Sequence, residues 1–293
     1  MLTAEQVDFY NEHGYLMVPD VLDPKELAEL KATVAGIVAG AAKVATHTDV
    51  YDLEDGHTSE HPKVRRIKTP HVHFDYFRTL VRHRKITGIL ASLLGPNIRL
   101  HGSKLNMKSA GYGAPVEWHQ DWAFYPHSND DVLATGLLLN DCAEENGPLL
   151  VIPGSHRDKV YDHHSDGAFC GAITGQLNQI DFSKAVALTG KAGSMSIHHA
   201  RTLHGSATNR SNQSRNLLLF EYTNADAWPL LGVTNFAEFN DRVVLGEPTV
   251  SPRVQPVPVR MPFPPAKSQG SIYENQRGAK VKYFSEARSA SGT

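Results

Sequence analysis

Cysteine is scarce: only Cys142 and Cys170 occur in 293 residues. Two thiols build neither a disulfide framework nor a thiolate zinc site, so the expectation is two reduced cysteines in a cytoplasmic protein. An excess of either charge is also absent. Lys and Arg number 29 against 31 Asp and Glu, a net charge of -2, whereas a nucleic-acid binder carries a basic excess. No apolar run approaches the roughly 20 residues that span a bilayer; the longest, Val34 to Ala45, is mostly small residues and contains Lys43. The opening Met1-Leu2-Thr3-Ala4-Glu5 lacks the basic-then-apolar pattern of a secretory leader. There is no internal repeat. With 41% hydrophobic and 20% charged residues, a disordered, collagen-like or coiled-coil chain is excluded.

The first third reads as helical. Thr3 and Gln6 form a capping box, and Gly14 is a typical stop. Tyr15 to Val18 is β-prone. Asp23, Pro24 and Glu26 open a second helix carrying Leu27, Leu30, Val34 and Val38 at helical spacing. Residues 46–75 are polar, which predicts a long loop or lid, and Leu80 to Leu94 predicts a third helix stopped by Gly95-Pro96. The period then changes. Strands are predicted at Ile98 to Lys108, Val116 to Phe124, Val132 to Asn140, Leu149 to Pro153, Ser194 to His199 and Asn216 to Thr223. Turn signals such as Gly111-Tyr112-Gly113 separate them. Phe236 to Val243 reads as one more helix, and residues 250–268, with six prolines, as an extended surface segment. Helices followed by short strands predict an α+β domain around an antiparallel barrel or jelly roll.

Histidine is abundant, with 16 copies. Five His-x-Asp triplets occur, at 47/49, 73/75, 119/121, 156/158 and 164/166, so the triplet alone says little. On a strand, residues i and i+2 share a face, and such a pair can grip one metal ion. His119-Gln120-Asp121 alone lies in a β-prone aromatic stretch, Val116 to Phe124, with a later His204-Gly205-Ser206 and Arg215 across several strands. Two histidines and one carboxylate leave open positions on iron, the facial triad of non-haem Fe(II) oxygenases. Zinc, which has no redox chemistry, prefers tetrahedral closure. Arg215 offers a planar fork for a carboxylate, and Ser206 a hydroxyl nearby. A dicarboxylate could then meet the metal at one end and Arg215 at the other.

With these residues in place, the chain resembles the phytanoyl-CoA dioxygenase family, which includes ectoine hydroxylases. The resemblance covers roughly residues 3–225. It rests on the opening helix and strand, on Glu145-Asn146-Gly147-Pro148-Leu149-Leu150-Val151-Ile152-Pro153-Gly154-Ser155-His156, and on His204-Gly205-Ser206 with Arg215 eleven residues past the histidine. It implies a double-stranded β-helix, a jelly-roll or cupin-like barrel with flanking N-terminal helices. It implies a single oxygenase domain: residues 1–97 the helical part and lid loop, 98–225 the barrel, 226–293 a C-terminal extension. It also implies Fe(II), 2-oxoglutarate as co-substrate, and O2. By the same resemblance His119, Asp121 and His204 are the catalytic iron ligands. Arg215 and Ser206 bind the distal carboxylate of the co-substrate, and Asn106 contacts it. The carboxylate of Asp121 points away from the related halogenases, which replace it with a small residue.

The remaining candidates stay open. Lys104 shares strand parity with Asn106, so it reads either as a barrel residue meeting an anion or as a surface lysine. His198 lines the pocket by family position, or is a hydrogen-bonded structural histidine. Tyr125, Trp122 and Trp118 are pocket wall or core. Arg65, Arg66 and Lys68, with His71 and His73, form a basic run that is either a solvated face or a lid meeting an anionic substrate, Arg66 being the substrate candidate. The expected enzyme oxidises a C–H bond of a small polar or anionic metabolite, as a monomer or homodimer, without nucleic-acid or membrane partners. The alternative is a non-catalytic or hydrolytic β-barrel that holds a metal.

Overall fold

A computed structural model describes residues 1–284 apart from Tyr112 and Gln269. The middle of the Gly111-Tyr112-Gly113 turn and the last part of the 226–293 extension therefore lie outside the described residues. Helix α1 (Ala4–His13) begins at the Thr3–Gln6 capping box and ends on Gly14 at φ 75°. A side chain there would strike the His156 ring, since a Cβ would stand 2.3 Å from Nδ1, so only glycine satisfies both the turn and the contact. Strand β1 (Tyr15–Val18) follows. Helix α2 (Pro24–Gly40) starts on Asp23, whose carboxylate accepts from the Lys25 and Glu26 amides, and it buries Leu30, Val34 and Ile37.

The 46–75 segment departs from the expected free loop. It contains β2 (Tyr51–Leu53), β3 (Val64–Lys68) and the short α3 (Pro70–His73). Charged residues hide this hairpin from a hydropathy pattern, and two of them are paired. Lys68 pairs with Asp52 of β2 at 3.1 Å, and Arg65 with the distant Glu274 at 2.6 Å. The predicted third helix, Leu80 to Leu94, is α5 (Arg84–Leu94), and Leu80 instead ends a separate short helix, α4 (Asp75–Leu80). The chain breaks at His83, which is extended, and the freed Val81 carbonyl accepts from the Tyr222 hydroxyl at 3.0 Å.

The strands that follow are β4 (Ile98–Lys108), β5 (Val116–His119), β6 (Val132–Leu138), β7 (Leu149–Val151), β8 (His164–Ser165), β9 (Ala168–Phe169), β10 (Val186–Leu188), β11 (Met195–His199), β12 (His204–Ser206) and β13 (Arg215–Asn224), of which β8 and β9 pair only with each other, outside the barrel. Helix α6 (Phe236–Asp241), β14 (Val243–Leu245) and α7 (Ile272–Asn275) complete the chain. The large sheet runs β1-β11-β6-β13-β4-β3-β2, with β14 also on β4. The small sheet runs β10-β7-β12-β5. All pairings are antiparallel. The two sheets face each other as a double-stranded β-helix, with α2, α4 and α5 packed on the large one through Leu30, Phe77, Ile86 and Leu90. Residues 250–268 run without regular structure, as the prolines require. Strands β8, β9, β10, β12 and β14 carry too few residues for a period-2 signal to register.

Candidate active site

The small sheet brings the two key histidines together. His204 of β12 stands directly opposite His119, the last residue of β5. Strand β5 ends there rather than at Phe124, and Asp121 opens a 3-10 turn, Asp121–Ala123. Asp121 therefore reaches the site because the chain turns, not because residues i and i+2 share a strand face. The anchor of that turn is Gln120, which is fully buried. Its side chain donates to the Arg201 carbonyl (2.8 Å) and the Lys159 carbonyl (3.2 Å), and accepts from the Tyr161 amide (2.8 Å). Its own amide donates to His163 Nε2 at 2.9 Å.

His119 Nε2 and His204 Nε2 lie 3.6 and 3.7 Å from the Asp121 carboxylate. The three ligand atoms fall within 4.8 Å of one another, and all three residues are buried. Each histidine donates from Nδ1 to a carbonyl two residues back, His119 to Glu117 and His204 to Thr202, both at 2.8 Å. That fixes the tautomer and leaves each Nε2 lone pair free for a metal. The donor set fits an iron ion. Burial pushes the Asp121 carboxyl up, but the Lys104 ammonium and His204 more than reverse this and hold it well below its ordinary value. Burial, then His119 and His198, push the His204 imidazole well below its own, so it stays neutral. A ligand set must be in these states. His198, on β11, bonds Asp121 Oδ2 through Nε2 at 3.3 Å.

The large sheet supplies the opposite wall. Along β4 and β13 the inward residues pair as Lys108 with Arg215, Asn106 with Leu217, and Lys104 with Leu219. Arg215, Asn106, Ser206, Lys104 and His198 all line the cleft that holds the triad. Arg215 is buried and donates from Nε to the Gly147 carbonyl at 3.1 Å. Lys108 is equally buried and donates to the Ser206 and Ala207 carbonyls. Among the described residues, neither cation has a carboxylate partner. Burial, then Arg215, push the Lys108 ammonium well below its ordinary value. Two uncompensated buried cations beside a metal triad fit the far carboxylate of 2-oxoglutarate.

A second cavity of about 200 Å³ opens beside Asp121, lined by Arg66, Lys104, Tyr125, Glu221, Ile272 and Asn275 among others. All four substrate candidates thus reach the site. The barrel-facing reading of Lys104 holds, and its anion is Glu221 at 2.6 Å. Arg66 sits on β3, with its Nε buried and unpartnered. Trp118 and Trp122 are core instead: Trp118 stacks on Phe284 with ring centroids 6.0 Å apart, and Trp122 packs with Val132 and Ala200. His156 bonds the Asn11 carbonyl at 3.2 Å, away from the triad.

Sequence reasoning missed Lys108, although it continues the Lys104 and Asn106 parity, and Glu221, which shares parity with Arg215. It also missed Ile272, Tyr273 and Asn275, whose helix is signalled locally by the Ser271–Glu274 capping box but whose place at the cleft is not. They arrive on α7, folded back over the cleft and held by the Arg65–Glu274 ion pair and by Gln276, which donates to the Gly171 carbonyl at 3.0 Å.

A double-stranded β-helix with a buried His-Asp-His triad between its sheets defines a non-haem iron oxygenase of the cupin-like class. The family model described as Phytanoyl-CoA dioxygenase (PhyH) matches residues 10–217, and the chain belongs to that family. It is similar to a probable alpha-ketoglutarate-dependent hypophosphite dioxygenase of Stutzerimonas stutzeri, 42% identical over 285 residues, covering 96% of this chain and 99% of that protein. It is also similar to L-proline trans-4-hydroxylase of Streptomyces griseoviridis, 30% identical, covering 75% and 87% of the two chains. EctD of S. alaskensis with bound Fe shares the fold, with TM-score 0.66, 24% identity and coverage of 89% and 88%. The protein is an Fe(II)- and 2-oxoglutarate-dependent dioxygenase acting on a small molecule, with O2 as the third reactant. No helix among the described residues is long and apolar enough to cross a membrane.

Proposed function

We propose that this dioxygenase oxidises a small anion, and that the anion is a phosphorus oxyanion of the hypophosphite kind. The observation that carries this is Arg66 on a cavity of about 200 Å³ beside Asp121, where Lys104 is already paired with Glu221. Arg66 lines it, and its Nε is buried without a partner. A guanidinium without a carboxylate partner favours a compact oxyanion. The Stutzerimonas relative, similar end to end, supports the same substrate. Asn275 and Tyr125 offer neutral hydrogen bonds at the rim.

In this reading His119, Asp121 and His204 hold the iron. When bound, iron supplies the activation of O2 that couples 2-oxoglutarate decarboxylation to substrate oxidation. The chain's residues do the rest. His198 orients the Asp121 carboxylate by donating to Oδ2. Arg215, Lys108 and Ser206 fix the distal carboxylate of 2-oxoglutarate, and Asn106 contacts its body. Arg66 and Lys104 orient the substrate, and α7 excludes water from the cleft. The balance closes: one atom of O2 enters succinate, the other converts a P–H bond to P–OH, and CO2 leaves. The net charge of -2 supports an enzyme without a nucleic-acid partner, and the two buried free thiols support a reducing, cytoplasmic setting.

The test is a succinate-release assay with hypophosphite, L-proline and ectoine in parallel, and phosphorus NMR of the product. Hypophosphite should stimulate succinate release and yield phosphite in equal amount. Stimulation by an amino acid and not by hypophosphite would replace the substrate while leaving the reaction class in place.

A further inference from the structure

Along β4 and β13 the inward row does not stop at Glu221 and Gly102. The pairing shifts between Glu221 and Tyr222, leaves His101 without a partner, and resumes with Thr223 opposite Arg99. This bulge keeps Arg99 and Thr223 on the inward face of the strands. The row therefore has a buried cation at each end, Lys108 with Arg215 at one and Arg99 at the other.

Arg99 and Thr223 are each 1% exposed. Arg99 Nη1 donates to the Ala225 carbonyl at 2.7 Å, and its guanidinium lies over the Phe239 ring, 3.7 Å from the centroid. That accounts for one end and one face. Its Nε and Nη2, together with Thr223 Oγ1, are buried without a partner. Nε–H and Nη2–H form one edge of the guanidinium, the edge that grips two oxygens of an anion side-on. Among the described residues, no carboxylate forms an ion pair with Arg99, and burial alone pushes its guanidinium down to about 10.

Arg99 and Thr223 line a cavity of about 180 Å³ with His101, His127 and Arg242. The cavity's one carboxylate among the described residues, Glu238, is engaged by Arg242, so the charge on Arg99 is not offset. Exposed Leu231 and Gly232 form the rim. Tyr125 lines this cavity and also the one beside Asp121. Its ring lies 4.4 Å from that of His101, so two rings separate the cavities.

We propose that this end of the barrel is a second anion site, in which the Nε/Nη2 edge of Arg99 takes two oxygens of a small oxyanion and the Thr223 hydroxyl donates to it. A buried cation without a counter-charge is costly, and an arriving anion removes that cost. Inorganic phosphorus oxyanions and short carboxylates share the required chemistry.

Calorimetric titration of the anaerobic enzyme loaded with Fe(II) and 2-oxoglutarate tests this, with inorganic phosphate in one series and succinate in the other. One of the two should bind saturably. Arg99→Gln should weaken that binding on the order of tenfold or more, and Thr223→Val should weaken it less. Lys104→Met, in the cavity beside Asp121, should leave it intact. Binding of phosphate alone assigns a phosphorus oxyanion, and binding of succinate alone a carboxylate. Thr223→Val preserves shape and keeps the test open if Arg99→Gln does not fold. The site is refuted if neither anion binds, or if binding is the same in wild type, Arg99→Gln and Thr223→Val.

Discussion

Single side chains here act through the atoms they leave free. Arg215 is committed to a backbone carbonyl at one edge, and its remaining donors face the cleft. Arg215→Lys keeps the charge and loses the fork, which should cost about 1.5–3 kcal/mol of co-substrate binding. The 2-oxoglutarate KM should rise at least tenfold with bound iron unchanged; a wild-type titration would remove Arg215 from the co-substrate. Gln120 works at one remove. It touches no ligand atom, yet its three side-chain hydrogen bonds hold the turn that presents Asp121. Gln120→Ala should lower iron affinity about 10–100-fold, measured by chelator competition on protein that still unfolds cooperatively. Unchanged iron affinity would make Gln120 a core residue and nothing more.

At the scale of elements, the cover over the cleft is α7 and its flanks rather than the polar 46–75 segment. Strand β3 is paired on both sides, to β2 and to β4, and cannot leave without breaking the sheet. Helix α7 is a single short turn, marginal on its own. It stays because Ser271 and Glu274 form a capping box, Glu274 pairs with Arg65, and Arg65 sits 4.9 Å from the Tyr273 ring centroid. Glu274→Ala removes the cap and the ion pair together. It should speed amide exchange in residues 271–278 while β3 stays protected, and raise succinate release unmatched by product as water enters. Faster exchange in residues 64–68 instead would return the lid to the segment the sequence favours.

Across the whole molecule, the notable feature is the number of neutral buried imidazoles. Burial pushes His127 and His163 down to about 3 and His71 to about 4. His163 shows how the neutral form is held: Nδ1 donates to the Tyr161 carbonyl at 2.9 Å, and Nε2 accepts from the Gln120 amide at 2.9 Å. In the unfolded chain each titrates near 6.5. The unfolded state therefore binds more protons below that pH. The stability these groups contribute is complete above about pH 6.5 and drains away as pH falls toward their folded values, by about 1.4 kcal/mol per pH unit for each. The urea midpoint should drop from pH 6.5 to pH 5, and His163→Gln, which can still donate and accept, should flatten the slope. Equal slopes in both proteins would mean His163 is protonated in the native state.

Much of this was already written in the chain. Capping signals at Thr3 and Asp23, the glycine stop at Gly14 and the β-prone runs predicted the starts of α1 and α2 and strands β4, β6, β11 and β13 to within a residue or two, because caps and periodicity are local physics, whereas the run from Val116 overshot β5. That His119, Asp121 and His204 would cluster, with Arg215 in the same cleft, was legible from the joint pattern of residue types, although the strand-face reading of Asp121 gave way to a turn. Other features lie beyond any local pattern. The β2–β3 hairpin is hidden by charges whose partners are far off in sequence, Arg65 with Glu274 being the plainest. The closure of the cleft by α7 and the resumption of the inward row at Arg99 depend on contacts between segments more than a hundred residues apart. A sequence states which groups are available and how each stretch prefers to coil. Only tertiary packing decides which buried charge meets a partner and which, like Arg99, is left with an edge to offer.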